Sequence, residues 1–427
     1  EENTLSQAQS YMELMKAHGA KHYLPLPVVL TEGEGSWVTD VDGKRYLDMM
    51  SAYSALNHGH RHPRILAAIQ KQLGRLTLTS RAFHNDQLGP FLKELTTLAE
   101  MDRALTMNTG AEAVETALKI ARKWGYRAKN IPQNQARIIA CRNNFHGRTI
   151  SIVSFSSEEL YRGDFGPHTP GFDLIDYGSL EALEAAITPE TAAFLVEPIQ
   201  GEAGILVPPE GYLKGVREIC DRHNILMMCD EIQTGLGRTG KLFCTQHEEV
   251  KPDVLILGKA LGGGFFPISS VLTREDVLTL FETGEHGSTF GGNPLAVSAA
   301  REALRVLVDE DLCQKAAEQG KFFMERLRAL KSPIIKEVRG KGLLIGVELN
   351  DESGARPYCE ALMDRGVLCK ETHETVVRFA PPLNVERKDL EWALEHIEAV
   401  LCPSSEQSTS AESSKSFGSS VSNEASL

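Results

Sequence analysis

A lysine followed by glycines is the first feature of this sequence that could do chemistry. The apolar run at 254–257 stops at Gly258, and Lys259 follows, with three glycines at 262–264. Burial disfavours the charged form of a lysine, which frees its amine as a nucleophile. Glycines let a flat group lie close to the backbone. The segment therefore predicts an amine that forms an imine with an aldehyde.

Acidic residues follow the apolar runs just before this lysine. The runs at 192–196 and 225–229 predict buried strands, and 211–224 predicts an amphipathic helix between them. This order predicts an α/β fold with a mostly parallel sheet that helices cover on both faces. In such sheets ligands bind beyond the carboxyl ends of the strands. The charged residues expected to gather there are Glu197, Asp230, Glu231 and Lys259.

Two segments could hold an anion at the start of a helix. Thr109 and Glu112 predict a capping box, and Gly110 would let an anion approach the helix amides. The segment HGSTFGGNP at 286–294 repeats the pattern before a second helix. Each could instead be an ordinary cap or turn. Together with the lysine and an acid, they meet the needs of pyridoxal phosphate, which requires an amine for its aldehyde, an Asp for its ring nitrogen and donors for its phosphate.

Two other motifs have weaker functional interpretations. GLGRTG at 235–240 fits the glycine pattern of a dinucleotide site, but the expected helix and the acid after a second strand do not follow it. NHGHRHP at 57–63 places three histidines at alternate positions, without further ligands at a zinc-like spacing. We therefore expect neither a nicotinamide cofactor nor a metal, and we interpret both segments as structural turns.

Composition excludes other classes of function. The 427 residues carry a net charge of −13, which argues against nucleic acid or an anionic membrane as partner. Eight cysteines without a CxxC pair favour a reducing compartment, and we expect a cytoplasmic protein. Because the chain begins with Glu, a removed organellar presequence stays an open alternative. The last 25 residues, 403–427, contain 11 serines and predict a disordered tail.

Six segments together resemble the class III (subgroup II) pyridoxal-phosphate aminotransferases: MNTGAEAVE, NFHGRT, VEPIQGEAG, MMCDEIQTGLGRTG, LGKALGGG and HGSTFGGNP. The resemblance spans residues 20–400 approximately. It implies the pyridoxal-phosphate-dependent transferase fold type I, similar to aspartate aminotransferase. We expect a large, mostly parallel-sheet domain at 51–293 and a smaller α+β domain at 294–402, with residues 1–50 packing on the smaller domain.

The resemblance assigns roles around the cofactor ring. Lys259 would hold pyridoxal phosphate covalently and carry the proton during transfer, while Asp230 would keep the pyridine nitrogen protonated. Phe145 would stack on the ring, and Gln233 would contact its hydroxyl. His146 is one departure, because animal members carry Trp at this position, and we expect no change of reaction from it.

The phosphate contacts imply a dimer. By the same resemblance, the backbone amides of Gly110 and Ala111 would bind the phosphate. Thr289 would reach the phosphate of the neighbouring subunit, so that the protein would act as a homodimer.

Within the family, the sequence is most similar to members that act on ornithine, in HYLPLPV, SAYSALNHGH, TSRAFHND and VRFAPPL. This implies ping-pong transfer of the δ-amino group of L-ornithine to 2-oxoglutarate or another 2-oxo acid, giving glutamate-5-semialdehyde and glutamate. Tyr23 and Arg148 would hold the α-amino and α-carboxylate groups, Tyr53 would shape the pocket, and Glu202 would pair with Arg378. Transfer from acetylornithine or 4-aminobutyrate is the alternative within the family, and a non-catalytic or nicotinamide-binding protein is the alternative outside it.

Overall fold

A seven-stranded sheet forms the centre of the computed structural model, which describes residues 5–402. Its strands lie in the order Arg103–Met107, Ser269–Thr273, Val254–Leu257, Leu226–Asp230, Thr191–Val196, Arg137–Cys141 and Phe172–Ile175. Ser269–Thr273 is antiparallel to both of its neighbours, and the other six strands run in one direction. The prediction of a mostly parallel sheet is therefore confirmed.

Helices bury both faces of this sheet, which explains the continuous apolar strands. Consecutive residues of one strand, such as Phe194 and Leu195, belong to different hydrophobic clusters on opposite faces of the sheet. Helix Gly110–Arg127 packs on the first face, and helix Tyr212–His223 packs on the second. The remaining longer helices are Gln7–His18, Pro63–Leu73, Leu88–Ala99, Leu180–Ala186, Pro294–Asp309, Leu312–Arg328, Arg356–Asp364 and Arg387–Leu401.

Two smaller sheets complete the fold. An antiparallel sheet has the order Ile335–Lys341, Leu344–Leu349, Val376–Phe379 and Lys370–Thr372. The other contains Leu30–Glu34, Trp37–Asp40 and Arg45–Asp48 from the N-terminal segment, and Val367–Leu368. The last pair is parallel, so strands from the N-terminal and C-terminal parts of the chain share a sheet. The boundaries predicted at residues 51 and 294 stay predictions.

The GLGRTG segment joins the central sheet to the small antiparallel sheet. Residues 235–240 form turns and do not begin a helix. Gly240 has a φ of +92°, and an added Cβ would lie 3.0 Å from Ala317. Arg238 is fully buried and donates a hydrogen bond to the Leu343 carbonyl at 2.9 Å. The glycines therefore serve close packing, and the dinucleotide interpretation does not hold.

The three histidines at 58–62 bond to separate partners. His58 Nε2 lies 2.9 Å from the Ala303 carbonyl, and His62 Nε2 lies 2.9 Å from the Glu310 carboxylate. Within residues 5–402, no group of three or more potential ligands could hold a metal ion. No helix in that span is long and apolar enough to cross a membrane. The tail predicted at 403–427 lies outside the described residues.

Candidate active site

A cavity of about 180 Å³ lies at the carboxyl ends of the central strands. Its position agrees with the rule that open α/β sheets bind ligands at this edge. Six of the seven residues predicted to bind the cofactor line it: Gly110, Ala111, Phe145, Asp230, Gln233 and Lys259. The expected acid Glu197 lines it as well.

Lys259 enters the cavity directly after strand Val254–Leu257 and Gly258. Its backbone has a φ of +43°, where a short 3₁₀ turn over Lys259–Gly262 begins. Burial lowers the pKa of its amine to about 8, although the nearby charge of Glu202 raises it. A substantial fraction of this amine is therefore neutral near pH 8, in the form that attacks an aldehyde.

Asp230 ends the neighbouring strand and is held by a buried histidine. Its Oδ2 lies 2.7 Å from His146 Nδ1, and its Oδ1 accepts a hydrogen bond from the Ile232 amide at 3.1 Å. The other ring nitrogen of His146, Nε2, has no hydrogen-bond partner among residues 5–402. No role for this histidine was predicted from the sequence, because residues 146 and 230 meet only in the folded chain. The one signal in the sequence that could have pointed to a role for His146 is its position directly after Phe145, the residue predicted to stack on the cofactor ring.

Two further acids follow the strands, and only one faces the cavity. Glu197 lines the cavity and accepts a hydrogen bond from the Phe145 amide at 3.1 Å. Burial, and then the charge of Asp230, raise its pKa well above the usual range, which favours the neutral acid. The prediction that Glu231 joins the charged residues at the ligand-binding edge was wrong. Its side chain turns away and accepts from the Thr234 hydroxyl at 2.9 Å, because consecutive residues of an extended chain point to opposite sides.

Glu202, Gln233 and Arg378 form a charged cluster beside the lysine. Arg378, on strand Val376–Phe379, is 1% exposed, and its Nη1 donates to Glu202 Oε1 at 3.0 Å. Gln233 Nε2 donates to the same oxygen at 3.0 Å, while its own oxygen accepts from Arg378 Nη2. Burial alone would raise the pKa of Glu202, but the charges of Arg378 and Lys259 lower it to about 2. The pair is therefore ionised at neutral pH.

Tyr23 and Arg148 form an exposed aromatic and cationic group. Arg148 Nη1 donates to the Tyr23 hydroxyl at 3.0 Å. Its guanidinium carbon lies 5.2 Å from the ring centres of both Phe145 and Tyr161, and 5.6 Å from that of Tyr23. Because Phe145 also lines the cavity, this group lies next to the cavity.

Tyr53 lies near both the lysine and the buried arginine. Its ring centre is 6.0 Å from Lys259 Nζ and 5.6 Å from the guanidinium carbon of Arg378. Thr289 is exposed and does not line the cavity within the described single chain. Among the predicted site residues, Thr289 is therefore the one that does not lie near the others in this chain.

The donor set fits a phosphorylated pyridine aldehyde. The helix that begins at Gly110 presents its first amides to the cavity, where a phosphate charge would be stabilised. An added Cβ at Gly110 would lie 3.0 Å from Ile232, so the position leaves little room for a side chain. Phe145 offers an apolar ring, and the amine and the carboxylate of Asp230 match the aldehyde and ring nitrogen.

Comparisons with known proteins agree with this geometry. The sequence pattern of the family described as Aminotransferase class-III matches residues 18–401. The chain is 57% identical over 397 residues to an ornithine aminotransferase of Brevibacillus brevis, covering 93% of this chain and 99% of that protein.

Solved structures are similar over almost the whole chain. An ornithine aminotransferase from Toxoplasma gondii, with partial occupancy of pyridoxal phosphate at its active site, superposes with a TM-score of 0.93 and 45% identity, over 95% of this chain and 96% of that one. An acetylornithine aminotransferase from Elizabethkingia anophelis superposes with a TM-score of 0.85 and 46% identity, over 93% of this chain and 100% of that one. The predicted fold type I is therefore confirmed. The family pattern and the Brevibacillus brevis relative, at 57% identity, each extend over about nine-tenths of this chain. The chain therefore belongs to the class III aminotransferases.

Proposed function

We propose that this aminotransferase uses pyridoxal phosphate to transfer the δ-amino group of L-ornithine to 2-oxoglutarate, giving glutamate-5-semialdehyde and glutamate. The observation that carries the proposal is the arrangement of two arginines. Exposed Arg148 bonds to Tyr23 near the cavity, whereas buried Arg378 is paired with Glu202 close to the lysine. Among residues 5–402, Arg148 has no carboxylate partner and can bind a substrate carboxylate, whereas Arg378 is neutralised where a distal amine would react.

Residues around the cavity have roles toward the cofactor in this proposal. Bound pyridoxal phosphate supplies an aldehyde for the amino group and a ring that withdraws electrons. Lys259 binds that aldehyde, Asp230 holds a proton on the ring nitrogen, and Phe145 covers the ring. Gln233, whose amide lies in the cavity wall, contacts the ring hydroxyl. With a pKa of about 8, the Lys259 amine can both accept and return a proton near neutral pH.

The substrate is oriented by its charged end. The Tyr23 hydroxyl and the Arg148 guanidinium hold the α-amino and α-carboxylate groups of ornithine, so that the δ-amine points to Lys259. While Glu202 engages Arg378, the charge of Arg378 is neutralised and does not repel that amine. When Glu202 turns away, Arg378 can bind the α-carboxylate of glutamate or 2-oxoglutarate, for which a planar guanidinium is well suited.

A second copy of the chain completes the proposed site. Gly110 and Ala111 supply phosphate donors from their own chain, and Thr289 supplies one to the partner's site. Exposure of Thr289 together with Phe83 and Phe290, which are 73% and 56% exposed, supports an interface here. All eight cysteines are free, which supports a reducing compartment such as the cytoplasm.

Acetylornithine transfer is the second candidate within the family, favoured by 46% identity to an acetylornithine aminotransferase. An N-acetyl group removes the charge of the α-amine, so that substrate would not need the Tyr23 hydroxyl. Transfer from 4-aminobutyrate would need neither Tyr23 nor Tyr53 for an α-amino group.

A substrate comparison tests the proposed function. We expect kcat/KM for ornithine to exceed that for N-acetylornithine and for 4-aminobutyrate by about tenfold or more, because both analogues lack the charged α-amino group that the Tyr23 hydroxyl would bind. Initial rates with 2-oxoglutarate as acceptor measure this. A preference for either analogue would reject ornithine as the substrate.

His146 is expected to act through the hydrogen bond that it makes with Asp230. His146→Phe removes this bond and should lower kcat about tenfold, the effect of about 1.4 kcal/mol. His146→Trp retains a ring N–H. If a donor to Asp230 is what matters, kcat of this variant should stay within about threefold of that of the wild type. Steady-state kinetics decide, with melting temperatures as the control for packing. Equal rates for the Phe variant and the wild type would contradict this role.

Removal of Glu202 tests whether its pair with Arg378 selects the substrate end. Glu202→Ala should speed the half-reaction with glutamate and slow that with ornithine, changing the ratio of their kcat/KM values about tenfold or more. Cofactor absorbance follows each half-reaction separately.

Glu348→Ala is the matched control, because it removes a carboxylate partner of Arg339 in the small sheet. It should affect stability without changing the ratio. Equal losses in both half-reactions of Glu202→Ala would show that the Glu202–Arg378 pair is only structural.

A further inference from the structure

Four consecutive non-glycine residues beside the active site adopt left-handed backbone conformations. Their φ angles are 52° at Ser51, 46° at Ala52, 59° at Tyr53 and 71° at Ser54. The segment forms one left-handed helical turn, in which the Ala55 amide donates to the Ser51 carbonyl at 2.8 Å. L-residues rarely adopt this conformation, and runs of it are rarer still. Surrounding contacts must therefore impose it.

The polar side chains of the turn do not hold it. The hydroxyls of Ser51 and Ser54 are buried, and neither has a hydrogen-bond partner in the described part of the chain. The contacts that determine the turn must come from outside it.

Asp48 supplies these contacts at the entrance to the turn. It ends strand Arg45–Asp48, and its Oδ1 accepts hydrogen bonds from the amides of Met50 at 2.9 Å and Ser51 at 2.8 Å. The carboxylate thus fixes the direction in which the chain leaves the strand, immediately before the first positive φ.

His60 holds the carboxylate of Asp48 in place. Its Nε2 lies 2.7 Å from Asp48 Oδ2, so both oxygens of Asp48 are engaged. The backbone of His60 is anchored by two hydrogen bonds with Gly35, at 2.8 and 3.0 Å. Its ring lies against Gly33, where an added Cβ would come within 2.9 Å. The histidine is therefore a rigid support.

The turn places Tyr53 at the reacting end of the site. The centre of the tyrosine ring lies 6.0 Å from the charged group of Lys259 and 5.6 Å from that of Arg378. Asp48, Tyr53 and His60 also line one apolar cavity of about 500 Å³, which Tyr23 lines as well. A turn of ordinary handedness would direct the Tyr53 side chain elsewhere, because the direction of Cβ follows the backbone.

We propose that Asp48 and His60 are positioning residues that hold Tyr53 over Lys259 and Arg378, and so determine which substrate end is accepted. This inference rests on the proposed function only for the identity of the preferred amine. The position of Tyr53 itself can be tested without any substrate.

Half-reaction kinetics provide the first test. Asp48→Ala and His60→Ala should each lower the ornithine-to-glutamate ratio of kcat/KM by about tenfold or more, mainly through KM for ornithine. Asp48→Asn keeps an acceptor for the backbone amides, and His60→Gln keeps a donor for Asp48. Each should keep the ratio within about threefold of that of the wild type. If the Ala variants lose stability but keep the ratio, the proposal is overturned.

A double-mutant cycle with Tyr53 separates positioning from general stability. In a Tyr53→Ala background, His60→Ala should change the ratio by less than about twofold, because the group that it positions is gone. An undiminished effect in that background would overturn the proposal.

A crystal structure of Asp48→Ala provides a readout that does not involve activity. Residues 51–54 should leave the positive-φ region and the Tyr53 ring should leave Lys259. A retained left-handed turn would contradict the role of Asp48. If Asp48→Ala does not fold, a crystal structure of His60→Ala is the second readout: the Asp48 carboxylate should shift and the Tyr53 ring should move away from Lys259, and an unmoved ring would overturn the role of His60. An ornithine half-reaction absent from the wild type would reject the proposed function, whereas the crystal structure would still decide the positioning role.

Discussion

A lysine amine enclosed with three carboxylates and an arginine is the constraint on which this site depends. Burial favours the neutral amine of Lys259 and lowers its pKa to about 8. Each acid near it is held in a different way. Glu202 is ionised against Arg378, Asp230 is bonded to His146, and burial favours the neutral form of Glu197. The site thus concentrates charge while leaving the amine reactive.

The fold supplies these groups from separate elements. Parallel strands bring Asp230 and Lys259 to one edge of the central sheet, and a capped helix presents amides at the same edge. Arg378 comes from the small antiparallel sheet, and Tyr53 from the turn that follows the N-terminal strands. Contacts between the sheets, such as those of Arg238, therefore bear on the chemistry, because they fix the distance between the two parts of the site.

Local signals in the sequence predicted some of this arrangement. The strands around Lys259 and Asp230 and the cap at Thr109 follow from apolar runs and side-chain types, and the structure confirms them. The bond between His146 and Asp230 joins residues 84 positions apart, and no local pattern encodes it. The left-handed turn was equally hidden, since backbone propensities disfavour it and tertiary contacts impose it.

Covalent labelling tests the central claim about the lysine most directly. The protein would be incubated with limiting pyridoxal phosphate, reduced with borohydride and mapped by peptide mass spectrometry, over about two pH units on either side of the expected pKa. The label should lie on Lys259, and its rate of formation should rise with pH and level off above about 8. Labelling of another lysine, or a rate at Lys259 that keeps rising toward the ordinary lysine pKa of 10.5, would contradict the account.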